Sequence, residues 1–478
     1  MKKFLKYLFA LLLLLTVVLM VNTFRFHSTQ ENVQVIEVPA LPDSSLRHFQ
    51  EALRFKTISF SPTIPPDSAE FTGFRRYLET VYPLVHQKLT KDLVNYTIVL
   101  KWNGKQPTLK PVILLAHQDV VPIEPATKDM WEVDPFAGVV KDGFIWGRGT
   151  TDDKISLIAI MESVEKLLAQ GFQPERTIYF VFGHDEEVTG KNGALQVAMQ
   201  MEKQGIKAEF ILDEGGIVSE KVAGVGQPVA LLATAEKGYL TVELTVNIQG
   251  GHSSYPAEET ALDVLSTALV NIRKNQMPQR ITEPVSDFFD NIGPEMPFGK
   301  KIVFANRWLF DPLLKKMFAR TDPKAAAMLR TTTVPTIVQC GIKENVIPTV
   351  AKATVNFRIL QGDTSDGVLE HLKKSIGDDR VVITPVGSIS EPSPITNAQC
   401  FGYKLLSKVA KQNFDNAVAS PFVLIGATDS RHFTKISDNI VKFNPMIDPI
   451  GFHGINERVS LESYRKALSF YESLFRSI

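Results

Sequence analysis

Four short apolar runs in this sequence end in side chains that resist burial. They are "PVILLAH" (111–117), "TIYFVFGH" (177–184), "AEFILDEGG" (208–216) and "PFVLIGATDS" (421–430). Helical patterns separate the first three. Along "DKISLIAIMESVEKLLAQG" (153–171) the apolar positions recur at helical spacing, and Gly171 offers a stop. Buried strands alternating with helices predict an α/β sheet. Ligands of open α/β sheets bind beyond the carboxyl ends of the strands, where these polar residues fall. The first run ends in His117, with Asp119 two residues on. The second leads to Asp185, Glu186 and Glu187, and the third to Asp213 and Glu214. The loop after "FIWGRGTTDDK" adds Asp152 and Asp153, and "IGFHGINER" adds His453. Like charges repel one another and resist desolvation, so this convergence calls for a counter-charge. Metal ions supply it most economically. A mixed imidazole and carboxylate set suits zinc, with cobalt or manganese as alternatives.

From Gly238 the pattern changes. "YLTVELTVNIQG" alternates as a half-exposed strand does, and a helix pattern follows in "ALDVLSTALVNIRKN". "TIVQCGI" and "AKATVNFRIL" read as strands, "SDGVLEHLKKSI" as a helix and "RVVITPV" as a last strand. The order β-α-β-β-α-β describes a small two-layer domain with helices on one face, inserted into the first. A mostly helical, Phe- and Pro-rich stretch at 280–335 interrupts it. The expected division is a membrane segment at 1–26, a tether at 27–44, a first domain in two parts at 45–237 and 388–478, and the small domain at 238–387.

The N-terminus sets the compartment. Lys2, Lys3 and Lys6 precede a run from Tyr7 to Phe24 that carries no charge. That length lies between a signal-peptide core and a membrane span, and no small-residue cleavage site follows it. An uncleaved anchor with its basic flank in the cytoplasm is expected, with a cleaved signal as the alternative. Lys+Arg and Asp+Glu both number 52, so no global field points to nucleic acid. Cys340 and Cys400 are too few for a disulfide framework or a thiol zinc site.

The motif order HxDVVP, GRGxxDDK, GHDEE, DEGG, GGHSS, NVIP and GFHGINE resembles the co-catalytic zinc peptidases related to aminoacylase-1 and glutamate carboxypeptidase. "FGHDEEVTGKNGA" and "GATDSRHF" resemble the carboxypeptidase S branch, which includes N-fatty-acyl-amino-acid synthase/hydrolases. The resemblance implies a dizinc hydrolase of N-acyl-amino acids or short peptides bearing a free carboxylate, with 45–237 and 388–478 as its catalytic domain and 238–387 as a lid or dimerisation domain. By the same carry-over, His117 and Asp213 bind one zinc, Glu187 and His453 the other, and Asp152 bridges them. Asp119 orients the His117 ring, Glu186 is the general base, and the Asp152–Asp153 bond is cis. His252, in "GGHSSYP", stabilises the oxyanion, by domain closure or from a second subunit of a homodimer. Arg358 and Asn345 match substrate-carboxylate positions, and Thr428, Asp429, Arg431 and His432 are expected to line the pocket. A binding protein that kept the fold but lost turnover is the rival reading. The intact Glu186 and full ligand set argue against it.

Overall fold

The computed structural model describes every residue except Ala223 and the side chain of Thr321. Its main layer is a mixed sheet built from β1 (Thr90–Val94), β2 (Thr97–Trp102), β3 (Val112–His117), β4 (Ile178–Gly183), β5 (Phe210–Asp213), β6 (Val218–Ser219) and β7 (Val229–Glu236). Two strands from the C-terminal part of the chain complete it; in the numbering used below they are β12 (Val418–Leu424) and β13 (Ile440–Lys442), after the small-domain strands β8–β11. The order is β1-β2-β4-β3-β5-β13-β7-β12, with β6 paired to β7. The centre, β4-β3-β5-β13, is parallel throughout.

β3 explains why this layer is buried on both faces. Val112, Leu114 and Ala116 join one hydrophobic cluster, while Ile113 and Leu115 join another on the opposite face. Side chains alternate along a strand, so an all-apolar run needs cover on both sides. After α1 at the N-terminus (Lys2–Arg25), α2 (Lys154–Ala169) covers the first face with the C-terminal helix, α8 (Leu461–Ser477). The helix Ala194–Lys203 covers the other. Parallel alignment brings the carboxyl ends of β3, β4 and β5 to one edge.

The small domain holds β8 (Gly238–Asn247), β9 (Thr332–Cys340), β10 (Val350–Ile359) and β11 (Val381–Ser390), in the order β9-β10-β8-β11. α3 (Ala261–Lys274) and α7 (Ser365–Ile376) lie on one face. They share a core with Leu240, Val242 and Leu244 of β8 and Val355 and Phe357 of β10. Thr260 and Asp263 form a capping box at the start of α3, and Gly377 ends α7 in the left-handed conformation. Between α3 and β9 run α4 (Glu283–Ile292), α5 (Phe298–Ala305) and α6 (Arg307–Thr321). α1 is long and apolar enough to cross a membrane.

Candidate metal centre and substrate cavity

His117 ends β3, and its Nε2 lies 2.9 Å from Asp152 Oδ1 and 3.3 Å from Glu214 Oε1. Its Nδ1 donates to the Asp119 main-chain oxygen at 2.9 Å. That bond uses the Nδ1 proton and leaves Nε2 facing the acids. The other Asp152 oxygen, Oδ2, lies 2.6 Å from His453 Nε2, which is 3.3 Å from Glu187 Oε2. Asp152 therefore sits between two histidines, one oxygen toward each. Its peptide bond to Asp153 is cis.

Two groups of donor atoms converge within metal-binding distances of one another: His117, Glu186 and Glu214, and His117, Asp152 and Glu187. Glu187 Oε1 is buried without a hydrogen-bond partner. An orphaned carboxylate oxygen beside imidazole nitrogens fits a cation.

Asp213 stands apart from these groups. Its Oδ1 accepts from Glu214 N at 2.9 Å and its Oδ2 from Ser430 N at 2.7 Å. Asp213 closes β5, and its neighbour Glu214 faces His117 instead. The family resemblance implies Asp213 at that position, whereas the structure brings Glu214 to it. The "DE" pair in "ILDEGG" was visible in sequence, but its facing was not.

Two further acids hold the scaffold. Asp119 is fully buried, and its two oxygens accept from the backbone N–H groups of Glu186 and Glu187, both at 3.2 Å. One carboxylate thus fixes both the turn that carries those acids and, 3.4 Å away, the His117 ring. Burial works against its charge, but His117 and the donors hold it below the ordinary Asp value. Glu457, also fully buried, accepts from Gly149 N, Thr151 N and Arg148, fixing the loop that delivers Asp152. Its position in "GFHGINE" is the only sequence signal for this role.

Burial pushes Glu186 well above the usual carboxylate range, and the charge of Asp429 adds to it. Burial and then Asp152 push Glu187 up to about 7. Burial opposes protonation of His453, yet its bonds to Asp152 and Glu187 raise it to about 10. His453 also has φ +56°, an uncommon conformation outside glycine, which aims its ring at Asp152.

A cavity of about 2000 Å³ opens from the acids. Asp152, Glu186, Glu187 and Glu214 line one end, and Arg358, Thr428, Arg431 and His432 also border it. Arg358 lies over the Tyr239 ring at 4.8 Å, and Thr428 donates to Glu236 at 3.0 Å. Asp429 is buried beneath the site rather than on the cavity wall, close to Gly183 and Gly190. His252 and Asn345 are exposed, beside the paired segments Gly251–His252 and Val346–Ile347, and neither lines the cavity.

Residues 113–477 match the model of peptidase family M20/M25/M40. The chain belongs to that family. It is 38% identical to a probable carboxypeptidase S-like protein of Dictyostelium discoideum, over 98% of this chain and 92% of that one. It is also 38% identical to an N-fatty-acyl-amino acid synthase/hydrolase of Xenopus tropicalis, over 89% and 84% of the two chains. In fold it is similar to an M20 family metallo-carboxypeptidase of Sulfolobus solfataricus, with a TM-score of 0.66 and 20% identity over 91% and 99% of the chains. The protein is therefore a hydrolase of the metallopeptidase type, with the carboxypeptidase S-like proteins and N-fatty-acyl-amino acid synthase/hydrolases among its relatives.

Proposed function

We propose that this chain is a two-metal hydrolase of N-acyl-amino acids with long apolar acyl groups, tethered by α1 with its catalytic part outside the cytoplasm. The cavity carries this reading. Its volume of about 2000 Å³ exceeds the roughly 300–1,000 Å³ of ordinary small-ligand pockets. Beyond the acids its wall includes Phe288, Met296, Val303, Phe304 and Phe318 of the helical insertion. An amide held at the acidic end leaves room for a long tail among these side chains. The name of the Xenopus relative points the same way.

His117, Glu214 and Asp152 would hold one cation, and Asp152, Glu187 and His453 the second. Glu214 here takes the role first expected of Asp213. Zinc suits these ligands best, with cobalt or manganese as alternatives. Cations there supply Lewis acidity, which polarises the scissile carbonyl and acidifies a water. Glu186 takes the proton of the attacking water and passes it to the leaving amine; its burial raises its basicity for that task. Arg358 and Arg431 can hold the substrate carboxylate with parallel hydrogen bonds. The same groups serve condensation when the reaction runs in reverse.

His252 and Asn345 enter only by closure of the small domain or from a second copy in a homodimer. Ser254 N donates to His252 Nδ1 at 3.2 Å, so the ring proton sits on Nε2, available to an oxyanion. Lys2, Lys3 and Lys6 favour a cytoplasmic N-terminus.

The test is kcat/KM for one amino acid acylated with chains from acetyl to oleoyl. Each methylene buried is worth about 0.8 kcal/mol, so efficiency should rise up to about fourfold per methylene until the channel fills. A flat or falling series refutes the acyl reading. Glu186→Gln should lower kcat by about 10²–10⁴ with metal content unchanged.

A further inference from the structure

α6 turns its apolar side outward. Leu309, Leu313 and Met317 follow the four-residue period of one helix face, Trp308 stands at its edge, and all are exposed, Trp308 by 62%. The inward side holds the fully buried Leu314. The exposed charges on the outward face are Lys316 and Arg320, both basic; Asp311 lies off it, paired with Arg307. A helix facing water shows the reverse pattern.

The neighbouring contacts indicate what covers this face. Asn306 links α5 to α6 and is fully buried. Its Nδ2 donates to Leu19 O at 3.1 Å, and Asn22 Nδ2 donates to its Oδ1 at 2.9 Å. The Phe24 ring packs against Phe298 with centroids 5.8 Å apart. At 1.5 Å of rise per residue, Leu19 lies roughly 9 Å before the end of α1, within the apolar run. A side chain bonded at that depth sits at the boundary of the bilayer that α1 crosses. Trp308 and Leu309 follow Asn306 almost immediately in the chain.

We propose that the outward face of α6 docks on the phospholipid bilayer. Trp308 lies at the headgroup–acyl boundary, where tryptophan is favoured, and Lys316 and Arg320 meet anionic headgroups. This rests on the reading of α1 as a retained span. Leu313 and Met317 also line the substrate cavity, so the docking face and the cavity share an edge. An amphiphilic substrate can then enter from the lipid without crossing water.

The experiment uses the full chain reconstituted in phosphatidylcholine vesicles containing some phosphatidylserine, with ordinary or acyl-brominated lipids. Trp102, Trp131 and Trp146 are buried, so quenching reports Trp308. The expected result is quenching by brominated lipid, little quenching by aqueous iodide, and loss of the lipid effect in Trp308→Phe. Leu309→Asp combined with Leu313→Asp should also weaken it. Quenching by iodide alone would put the face in water, and quenching by neither would put it under a second copy; each overturns the proposal. Flotation with the vesicles reports α1 separately. A chain that floats without bromine quenching sinks the docking face and spares the anchor, whereas failure to float sinks both.

Discussion

Glu214 and Asp213 are neighbours with opposite surroundings, and two substitutions should separate the roles proposed for them. Glu214 Oε1 lies 3.3 Å from His117 Nε2, and burial and then Asp152 push its carboxyl well above the usual range. Without a cation, its burial and the charge of Asp152 favour the neutral form. Glu214→Gln keeps that shape and hydrogen-bonding capacity, so the metal-free protein should keep its stability within about 0.5 kcal/mol. The loaded protein should instead lose one metal per chain, because a neutral amide cannot replace the anionic ligand. Asp213 has the contrary profile. Its oxygens accept from two backbone N–H groups, at 2.9 and 2.7 Å. In Asp213→Asn one oxygen becomes an NH₂ group aimed at an N–H. The loss of one charge-assisted bond, with a buried donor left unpaired, costs about 2–3 kcal/mol.

Elemental analysis after dialysis, and urea unfolding in EDTA, read the two effects independently. Glu214→Gln should carry one metal fewer and unfold like the parent; Asp213→Asn should keep its metals and unfold at lower urea. The opposite pairing, with Asp213→Asn losing metal at unchanged stability and Glu214→Gln retaining both ions, would refute the reasoning.

Two other outcomes follow from buried residues away from Asp213 and Glu214. Lys237 joins the main sheet to the small domain and donates to the Ala327 and Arg330 carbonyls, both at 2.8 Å; burial and then Arg358 hold it down at about 7. The unfolded chain thus binds more protons between pH 7 and about 10, so Lys237 makes stability rise with pH there, by up to about 1.4 kcal/mol per unit. Lys237→Met should remove that part of the slope in urea titrations at pH 7, 8 and 9, and an unchanged slope would contradict it. Gly190 has φ +65°, and a Cβ there would lie 2.0 Å from Asp429 Oδ1. Gly190→Ala should cost about 1–3 kcal/mol in thermal unfolding and weaken metal retention by shifting the Glu186–Val188 turn; parent-like melting and metal content would refute it.

What the sequence could reveal follows from the periodicities of its elements. β3 and β4 are legible because they are apolar on both faces, and a run so apolar has few alternatives. β1, β2, β6, β7 and β13 are not read from the sequence: Thr90–Val94 is mostly exposed, and Val218–Ser219 and Ile440–Lys442 are only two and three residues long, so these three carry no clear period. The site was legible as a set of strand ends, because the parallel order of β4-β3-β5 gathers those ends at one edge. Facing was not. Successive side chains on a strand point to opposite sides, so "DE" after β5 offered two equivalent acids and only the register decided that Glu214 meets His117. At "DEE" the ambiguity vanishes, since Glu186 and Glu187 lie in a 3₁₀ turn where both can reach the cluster. The insertion shows the same limit on a helix. Its composition announced apolar surface, yet Phe289 is buried and Trp308 exposed, and only the contacts of Asn306 with α1 give that outward face a direction. Residue type therefore bounded the chemistry, and packing geometry chose which member of each pair could perform it.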